Sequence, residues 1–283
     1  MKFKQYMFQI FSKMVHDKSK QNIFSEFIYC DKIALRQSVR CLTMKIEIWS
    51  DYICPFCYIG KRKVERAIEK FEHKNDIVIQ YKSYELSPDA TYIPGKSYHE
   101  LLADKYNMTT EKVKQMNENI RLQASEQGLE YHFDLMQPTN TFDAHRIAKL
   151  AAKENKGQEM TERIFKAYFT EGLLISDHHT LRKLANDVGV DSEKVNLILE
   201  SRKLSSHVRD DEEQAAQIGV QGVPFFVLNE IYAVSGAQPT EVFVEIFNKV
   251  WEEEHKNPAL KSFTPKNLET SYCTDEGCGI DKD

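Results

Sequence analysis

Two cysteines three positions apart, Cys54 and Cys57, follow a short apolar run and begin a helical pattern. The run 46–49 predicts a buried strand, and apolar residues at helical spacing over 64–71 predict an amphipathic helix. Pro55 suits the first turn of that helix, where a missing N–H costs nothing and its fixed φ is already helical. Cys54 is therefore predicted to lie where a strand turns into a helix, and no other feature restricts the fold as closely.

This position favours thiol chemistry. The unpaired N–H groups and partial positive charge of a helix N-terminus stabilise a thiolate, so Cys54 is predicted to be a nucleophile. Cys57 lies one turn further on and is predicted to resolve a mixed disulfide formed at Cys54. Phe56 brings neither charge nor a hydrogen-bond donor, so we expect less thiolate stabilisation than a polar residue would give. The motif predicts an active site that exchanges disulfides.

Two structural interpretations compete with this one. A CxxC pair can be half of a zinc site, and Cys273 and Cys278 offer a second half. The pairs lie roughly 200 residues apart, and a zinc knuckle needs neither a strand before it nor a long helix after it. A structural disulfide between Cys54 and Cys57 would close too small a loop to stabilise much. We expect no metal.

Composition narrows the function further. The chain has 283 residues, a formal net charge of −5 and six cysteines. That charge does not support nucleic-acid binding, and no run of 18 apolar residues suggests a membrane span. Six cysteines are few for a disulfide-stapled secreted scaffold. Neither nucleic acid nor membrane is an expected partner.

The first 43 residues differ from the rest, with eight Lys and Arg against three Asp and Glu. They lack the apolar core of a secretory signal, so we expect a cytoplasmic protein. An organelle transit peptide stays open, although its acidic residues count against it. The preferred interpretation is a basic extension that lies outside the fold, before a domain that begins at Met44. Cys30 and Cys41 would then have no catalytic role.

The remaining patterns predict an interrupted sheet. A second strand is predicted at 77–84, and helical patterns run from Ser97 to about Gly219. Two short strands, 224–228 and 232–234, are joined by a tight turn, and a last helix covers about 239–254. This order indicates an α/β protein with a helical block inside the sheet.

Four motifs in this order resemble the thioredoxin superfamily, specifically its DsbA-like branch, which includes FrnE-type oxidoreductases and 2-hydroxychromene-2-carboxylate isomerases. They are Ser50 to Gly60, Asn140-Thr141 with Ala144-His145-Arg146, Gly219 to Pro224, and Ser235 to Pro239. The resemblance implies a thioredoxin-like fold with a helical domain inserted in the middle. It assigns 44–88 and 219–255 to the thioredoxin-like domain, 89–218 to the insertion and 256–283 to a flexible tail.

The resemblance also implies site residues. Pro224 would be a cis proline against the cysteines, and the backbone of Val223 would pair with a substrate chain. A trans proline beginning an edge strand is the alternative. Pro55 and Phe56 would contact the substrate beside the thiols.

Asn140 and Gln238 would line the substrate or glutathione pocket, although Asn140 or Thr141 is also a candidate helix N-cap. His145 is expected to be a satisfied core histidine. Asp51 and Glu47 would relay protons to Cys57 if they were buried, but carboxylates at a strand end are more often solvated.

The tail pair, Cys273 and Cys278, has two interpretations. It would be an auxiliary redox pair, as in some FrnE-like members, or a local disulfide or idle thiols. The leading function is a thiol–disulfide oxidoreductase acting on protein or small-molecule disulfides, with no cofactor. The alternative is a glutathione-dependent isomerase or transferase, a branch that usually has a serine where this chain has Cys54. Glutathione is left open as a co-substrate.

Overall fold

The computed structural model describes residues 43–255, 270–274 and 277–281. The elements in chain order are β1 Met44–Ser50, α1 Pro55–Lys70, β2 Ile77–Ser83, α2 Tyr98–Tyr106, α3 Thr110–Glu126, α4 Phe142–Lys153, α5 Gly157–Phe169, α6 His178–Asp187, α7 Ser192–Leu199, α8 Ser205–Gln217, β3 Phe225–Leu228, β4 Tyr232–Ser235, α9 Thr240–His255, β5 Thr270–Thr274 and β6 Gly277–Asp281. The predicted α/β order is confirmed, and α8 is a helix that the apolar pattern did not separate.

Four strands form the main sheet, in the order β2-β1-β3-β4. β1 pairs in parallel with β2 from Met44 opposite Ile77 to Ser50 opposite Ser83, and it pairs antiparallel with β3. β1 has a neighbouring strand on each edge, and six of its seven residues are buried. Because β1 is internal, the turn that carries the cysteines leaves from the middle of the sheet.

The β3–β4 hairpin turns where the sequence predicts. Asn229 and Glu230 have φ values of 50° and 63°, the left-handed region in which a tight hairpin turn matches the twist of its strands. The Asn229 side chain also accepts a hydrogen bond of 2.7 Å from the Lys45 backbone N–H. The turn is thereby fixed to the start of β1.

Helix α1 packs closely against the loop before β3. Gly60 makes this approach possible, because a Cβ atom there would lie 3.1 Å from Pro224 Cγ and 3.3 Å from the Phe226 ring. Further along, α1 packs on α9 through an apolar cluster that includes Val64, Phe71 and Phe247. The cysteine end of α1 is therefore held against the sheet.

Helices α2 to α8 lie between β2 and β3 in the chain, as the helical patterns predict. Their core is shared with the cysteine turn, because Tyr58 and Ile59 of α1 belong to the same apolar cluster as Ile147 and Phe165. The inserted helical segment is confirmed. The predicted boundaries at residues 88 and 219 stay predictions.

The chain ends are described only in part. The basic extension over 1–42, with Cys30 and Cys41, lies outside the described residues, as does 256–269. Within the tail predicted as flexible, β5 and β6 pair as an antiparallel hairpin. In the described part of the chain, no helix combines the length and apolar character needed to cross a bilayer.

Candidate active site

Cys54 and Cys57 occupy the first turn of α1, as predicted. Cys54 is the N-cap, Pro55 begins the helix, and the Cys57 N–H donates to the Cys54 carbonyl at 3.1 Å. The Cys54 N–H in turn donates to the Asp51 carbonyl at 3.1 Å. Both cysteines are buried free thiols. The N-cap position places Cys54 at the positive end of the helix dipole.

The Cys54 sulfur faces the loop before β3. Its thiol donates to the Val223 carbonyl at 3.5 Å, and the Val223–Pro224 peptide bond is cis. The alternative of a trans proline is therefore wrong. The structure brings the first cysteine and this loop together across about 170 residues of chain.

Cys57 is 3% exposed and Cys54 is 5% exposed. Burial raises the pKa of the Cys57 thiol well above its ordinary value of 9.0, and the neighbouring Cys54 thiol raises it further. The Asp51 backbone N–H and the Ser50 hydroxyl oppose this shift. Cys57 therefore holds its proton at neutral pH and must lose it before it can attack a disulfide.

The expectation that the carboxylates of Glu47, in β1, and Asp51, just after it, are solvated is wrong. Asp51 is fully buried and Glu47 is 7% exposed. Asp51 Oδ2 accepts from the Leu86 N–H at 2.7 Å, while Oδ1 lies 3.6 Å from His145 Nε2. Glu47 instead pairs with Lys82 at 3.3 Å. The segment after β2 and helix α4 cover the end of β1, which residue type alone did not predict.

His145 is buried, as expected, but it is not satisfied. Its ring lies 4.7 Å from the Tyr52 ring and its Nε2 has no hydrogen-bond partner among the described residues. The nearest acidic atom is Asp51 Oδ1. The expectation that the ring nitrogens of this core histidine all have hydrogen-bond partners is therefore wrong for Nε2.

Asn140 ties the start of α4 to the segment after β2. Its Oδ1 accepts from the Phe142 N–H at 2.8 Å, and its Nδ2 donates to Pro88 O at 2.7 Å and Glu85 Oε1 at 3.1 Å. Thr141 is the N-cap, but its side chain makes no capping hydrogen bond. Asn140 therefore supplies the capping acceptor, and its contact with substrate stays a prediction.

Gln238 lies in the loop after β4, and Phe56 lies in the first turn of α1. Gln238 Nε2 donates to Ser235 O at 2.8 Å, and Lys63 of α1 donates to Ala237 O at 2.9 Å. Phe56 is 38% exposed, the only large exposed apolar side chain within the first turn of α1. Their substrate contacts also stay predictions.

Tyr131 is a site residue that the sequence did not reveal. Its hydroxyl donates to the Pro55 carbonyl at 2.8 Å, between the two cysteines. Its ring stacks on Phe169 at 4.5 Å and on Tyr58 at 6.1 Å. No motif surrounds Tyr131, so only the packing of the helical segment could place it here.

The backbone register places Cys273 directly opposite Cys278 in the β5–β6 hairpin. Facing residues of antiparallel strands have Cα atoms about 4.5 to 5.5 Å apart, within the range that a disulfide spans. Among the residues whose side chains the structure describes, no group of three or more His, Cys, Asp or Glu is arranged to hold a metal.

Comparison with known proteins agrees with this geometry. A family model described as the DSBA-like thioredoxin domain matches residues 45–248. The uncharacterized protein YwbO of Bacillus subtilis is 30% identical over 210 residues, covering 71% of this chain and 94% of that protein. The crystal structure of a probable DsbA oxidoreductase from Streptomyces coelicolor superposes with a TM-score of 0.70 at 32% identity, covering 84% of this chain and all of that one.

A more distant structure shares the fold alone. It is a 2-hydroxychromene-2-carboxylate isomerase that is 15% identical and has a TM-score of 0.56. The match covers 74% of this chain and 97% of the isomerase. The inserted helical segment is therefore part of a fold that known proteins share.

Proposed function

The chain belongs to the DSBA-like thioredoxin domain family, and on that premise we propose that it is a thiol–disulfide oxidoreductase. Cys54 is the nucleophile and Cys57 is the resolving thiol. The observation that supports this most is the asymmetry of the two thiols. Both thiols are buried, but Cys54 caps the helix and faces the Val223 carbonyl, whereas Cys57 lies one turn further on with a raised pKa.

The first step forms a mixed disulfide. The Cys54 thiolate attacks one sulfur of a substrate disulfide, the substrate S–S bond breaks, and the departing thiolate takes up a proton. The N–H groups of the first turn of α1 stabilise the attacking charge. The Tyr131 hydroxyl, bound to the Pro55 carbonyl, holds that turn in place.

The second step releases the substrate. Cys57 gives up its proton and attacks the Cys54 sulfur, which forms a Cys54–Cys57 disulfide and expels the second substrate thiolate. The substrate gains two electrons and the chain loses two. Run backwards, the same steps transfer a disulfide to a substrate.

Substrate contact involves the surface around Cys54. The Val223 carbonyl, now bound to the Cys54 thiol, becomes free to pair with a substrate backbone when that sulfur reacts. Phe56 offers an exposed ring two positions after the nucleophile in sequence, and Asn140 and Gln238 are proposed as further substrate contacts. Disulfide-containing proteins or small molecules are the proposed partners, with glutathione as a co-substrate.

The proposed direction is reduction of the substrate, in the cytoplasm. A strongly oxidising site stabilises its reduced form, as DsbA does at about −120 mV, whereas thioredoxin lies near −270 mV. Phe56 gives the Cys54 thiolate no hydrogen bond or charge. We therefore expect a reduction potential closer to the thioredoxin value, measured by equilibration with glutathione.

Cys273 and Cys278 are proposed as an auxiliary pair that exchanges electrons with the active site. A disulfide between Cys273 and Cys278 would close a loop of about six residues and gain little entropic stabilisation, so it should be easily reduced. Replacing both with Ser should slow steady-state turnover while leaving a single reaction at Cys54 unchanged.

The isomerase alternative rests on fold alone, and Cys54 itself counts against it.

Insulin reduction with dithiothreitol as the electron source tests the proposed function. Cys54→Ser should abolish the catalysed rate, and Cys57→Ser should accumulate mixed disulfide. The matched control is Cys41→Ser, which should keep full activity. Unchanged insulin reduction by Cys54→Ser would exclude the assignment.

A further inference from the structure

The first turn of α1 carries a hydrogen bond that the helix itself does not need. The Tyr131 hydroxyl donates to the Pro55 carbonyl at 2.8 Å. In an α-helix this carbonyl already accepts from the N–H four residues further on, which here is that of Ile59. The hydroxyl therefore adds a second donor to an acceptor that the helix already satisfies, on the peptide unit that lies between the two cysteines.

That peptide unit also carries the N–H of Phe56. Resonance joins the oxygen and the nitrogen of a peptide bond, so a hydrogen bond accepted by the oxygen makes the N–H a stronger donor. Phe56 is the second residue of α1, a position whose N–H has no acceptor inside the helix. The side chain of an N-cap residue accepts from this N–H in many helices. The Phe56 N–H is therefore placed to serve the side chain of the N-cap, Cys54.

The Cys54 sulfur changes its hydrogen-bonding role when it loses its proton. As a thiol it donates to the Val223 carbonyl at 3.5 Å and makes no capping bond. As a thiolate it has no proton to donate and can only accept. The donors of the first turn, with the Phe56 N–H among them, then stabilise its charge.

Packing fixes Tyr131 in this position. Its side chain is buried, and its ring stacks on Phe169 at 4.5 Å and meets Phe133 edge-on at 5.8 Å. Burial raises the pKa of the Tyr131 hydroxyl well above its ordinary value, and the charge of Cys54 raises it further. The hydroxyl therefore keeps its proton while Cys54 is charged. A donor fixed in advance needs no rearrangement when that charge appears.

We propose that Tyr131 stabilises the Cys54 thiolate through the Pro55–Phe56 peptide, an inference that rests on the proposed dithiol exchange. Tyr131 is a positioning residue, because its hydroxyl contacts the peptide and not the reacting sulfur. The bond favours the reduced form, since Cys54 carries no charge once it is part of a disulfide. Tyr131 belongs to the inserted helical segment, which thereby sets the redox equilibrium of the cysteines.

Other buried tyrosine hydroxyls near the cysteines bind elsewhere. The Tyr58 hydroxyl donates to Glu162 Oε1 at 2.5 Å, and the Tyr52 hydroxyl lies 3.5 Å from Thr161 Oγ1. Tyr58 stacks on Tyr131 at 6.1 Å, so it belongs to the same aromatic cluster. Its hydroxyl can therefore be removed as a matched control that leaves the bond to the first turn intact.

Equilibration with glutathione tests the proposal in the full-length chain with Cys54 and Cys57 as its only cysteines. Oxidation forms the Cys54–Cys57 bond, breaks the S–S bond of glutathione disulfide and passes two electrons to it, so two glutathione thiols are released. Tyr131→Phe weakens the thiolate form, so the equilibrium constant for oxidation should rise about two- to fivefold at about pH 8. The midpoint of the thiolate absorbance titration, followed at about 240 nm, should move about 0.3 to 0.7 pH unit higher.

A change of donor strength separates this role from packing alone. Replacing Tyr131 with 3-fluorotyrosine keeps the ring and makes the hydroxyl a better donor, so the equilibrium constant should fall and the midpoint should move lower. Tyr58→Phe should leave both at the wild-type values.

The proposal is overturned if Tyr131→Phe keeps the wild-type equilibrium constant and midpoint. It is also overturned if 3-fluorotyrosine shifts them in the same direction as Phe, or if Tyr58→Phe shifts them as far as Tyr131→Phe does. If the starting protein forms no Cys54–Cys57 disulfide with glutathione, the proposed function itself fails, so the two failures are distinguishable.

Discussion

Two buried carboxylates, Glu47 in the middle of β1 and Asp51 just after its end, are held in different ways. Glu47 Oε1 lies 3.0 Å from Lys45 Nζ and 3.3 Å from Lys82 Nζ. Lys82 Nζ also lies 3.4 Å from Asp211 Oδ1. We call this group the charged cluster. Asp51 is buried more completely, but one of its oxygens faces only His145 at 3.6 Å. Burial therefore accompanies full pairing in the middle of the strand and an unpaired oxygen just after its end.

The paired and the unpaired carboxylate suit different roles, one in stability and the other in reaction. A buried ion loses its hydration, and it is tolerated when opposite charges and hydrogen bonds replace that hydration. Asp211 meets this condition, since it binds Lys149 and accepts from the Ser83 N–H at 2.7 Å. Asp51 Oδ1 does not meet it, because it has no hydrogen-bond partner among the described residues. The charged cluster should therefore govern stability, whereas the end of β1 that leads into the cysteine turn, the reactive end, should govern reaction rate.

The largest effect should come from breaking the charged cluster. Asp211→Ala leaves Lys82 and Lys149 without their shared partner, so the free energy of unfolding should fall by about 3 to 5 kcal/mol. Urea denaturation measures this. The exposed neighbour is the control, and Asp210→Ala should change stability by less than about 0.5 kcal/mol. If the folded Asp211→Ala protein lost disulfide exchange, the assignment of separate roles to the charged cluster and to the reactive end of β1 would be wrong.

A smaller effect should follow from disturbing the packing at the reactive end without changing any charge. Gly60→Ala would place a Cβ atom 3.1 Å from Pro224 Cγ, so the loop or the helix must shift. We expect a loss of about 1 to 3 kcal/mol in stability and slower attack by Cys54. Gly222→Ala, which meets no atom within 4 Å, is the matched control. Wild-type attack rates in Gly60→Ala would show that this contact does not position the site.

The smallest effect concerns the proton held at the reactive end. Burial is the main reason that the pKa of Cys57 is raised in the folded protein. The proton bound to Cys57 therefore contributes fully to the free energy of unfolding below the thiol pKa of the unfolded chain, and this contribution is lost at higher pH. Above about pH 9, the reduced protein should lose up to about 1.4 kcal/mol per pH unit relative to Cys57→Ser. Denaturation of both proteins across that range measures the slope. Parallel curves would contradict it.

Local patterns predicted the elements of the site better than its environment. Cys54 at a strand–helix junction and the hairpin at Asn229 follow from residue spacing and turn chemistry over a few residues. The burial of Asp51 depends on Leu86 and on His145, which approach from different elements. Tyr131 reaches Pro55 from a segment with no motif. Such contacts depend on tertiary packing, which local periodicity does not encode.

Locating the first mixed disulfide tests the central claim that the two thiols have separate roles. Reduced Cys57→Ser and Cys54→Ser proteins would each be mixed with an excess of a peptide disulfide, quenched with acid, digested and mapped by mass spectrometry. We predict rapid formation of an adduct on Cys54 in the first protein and little adduct on Cys57 in the second. Equal labelling of Cys57 and Cys54 would contradict the account.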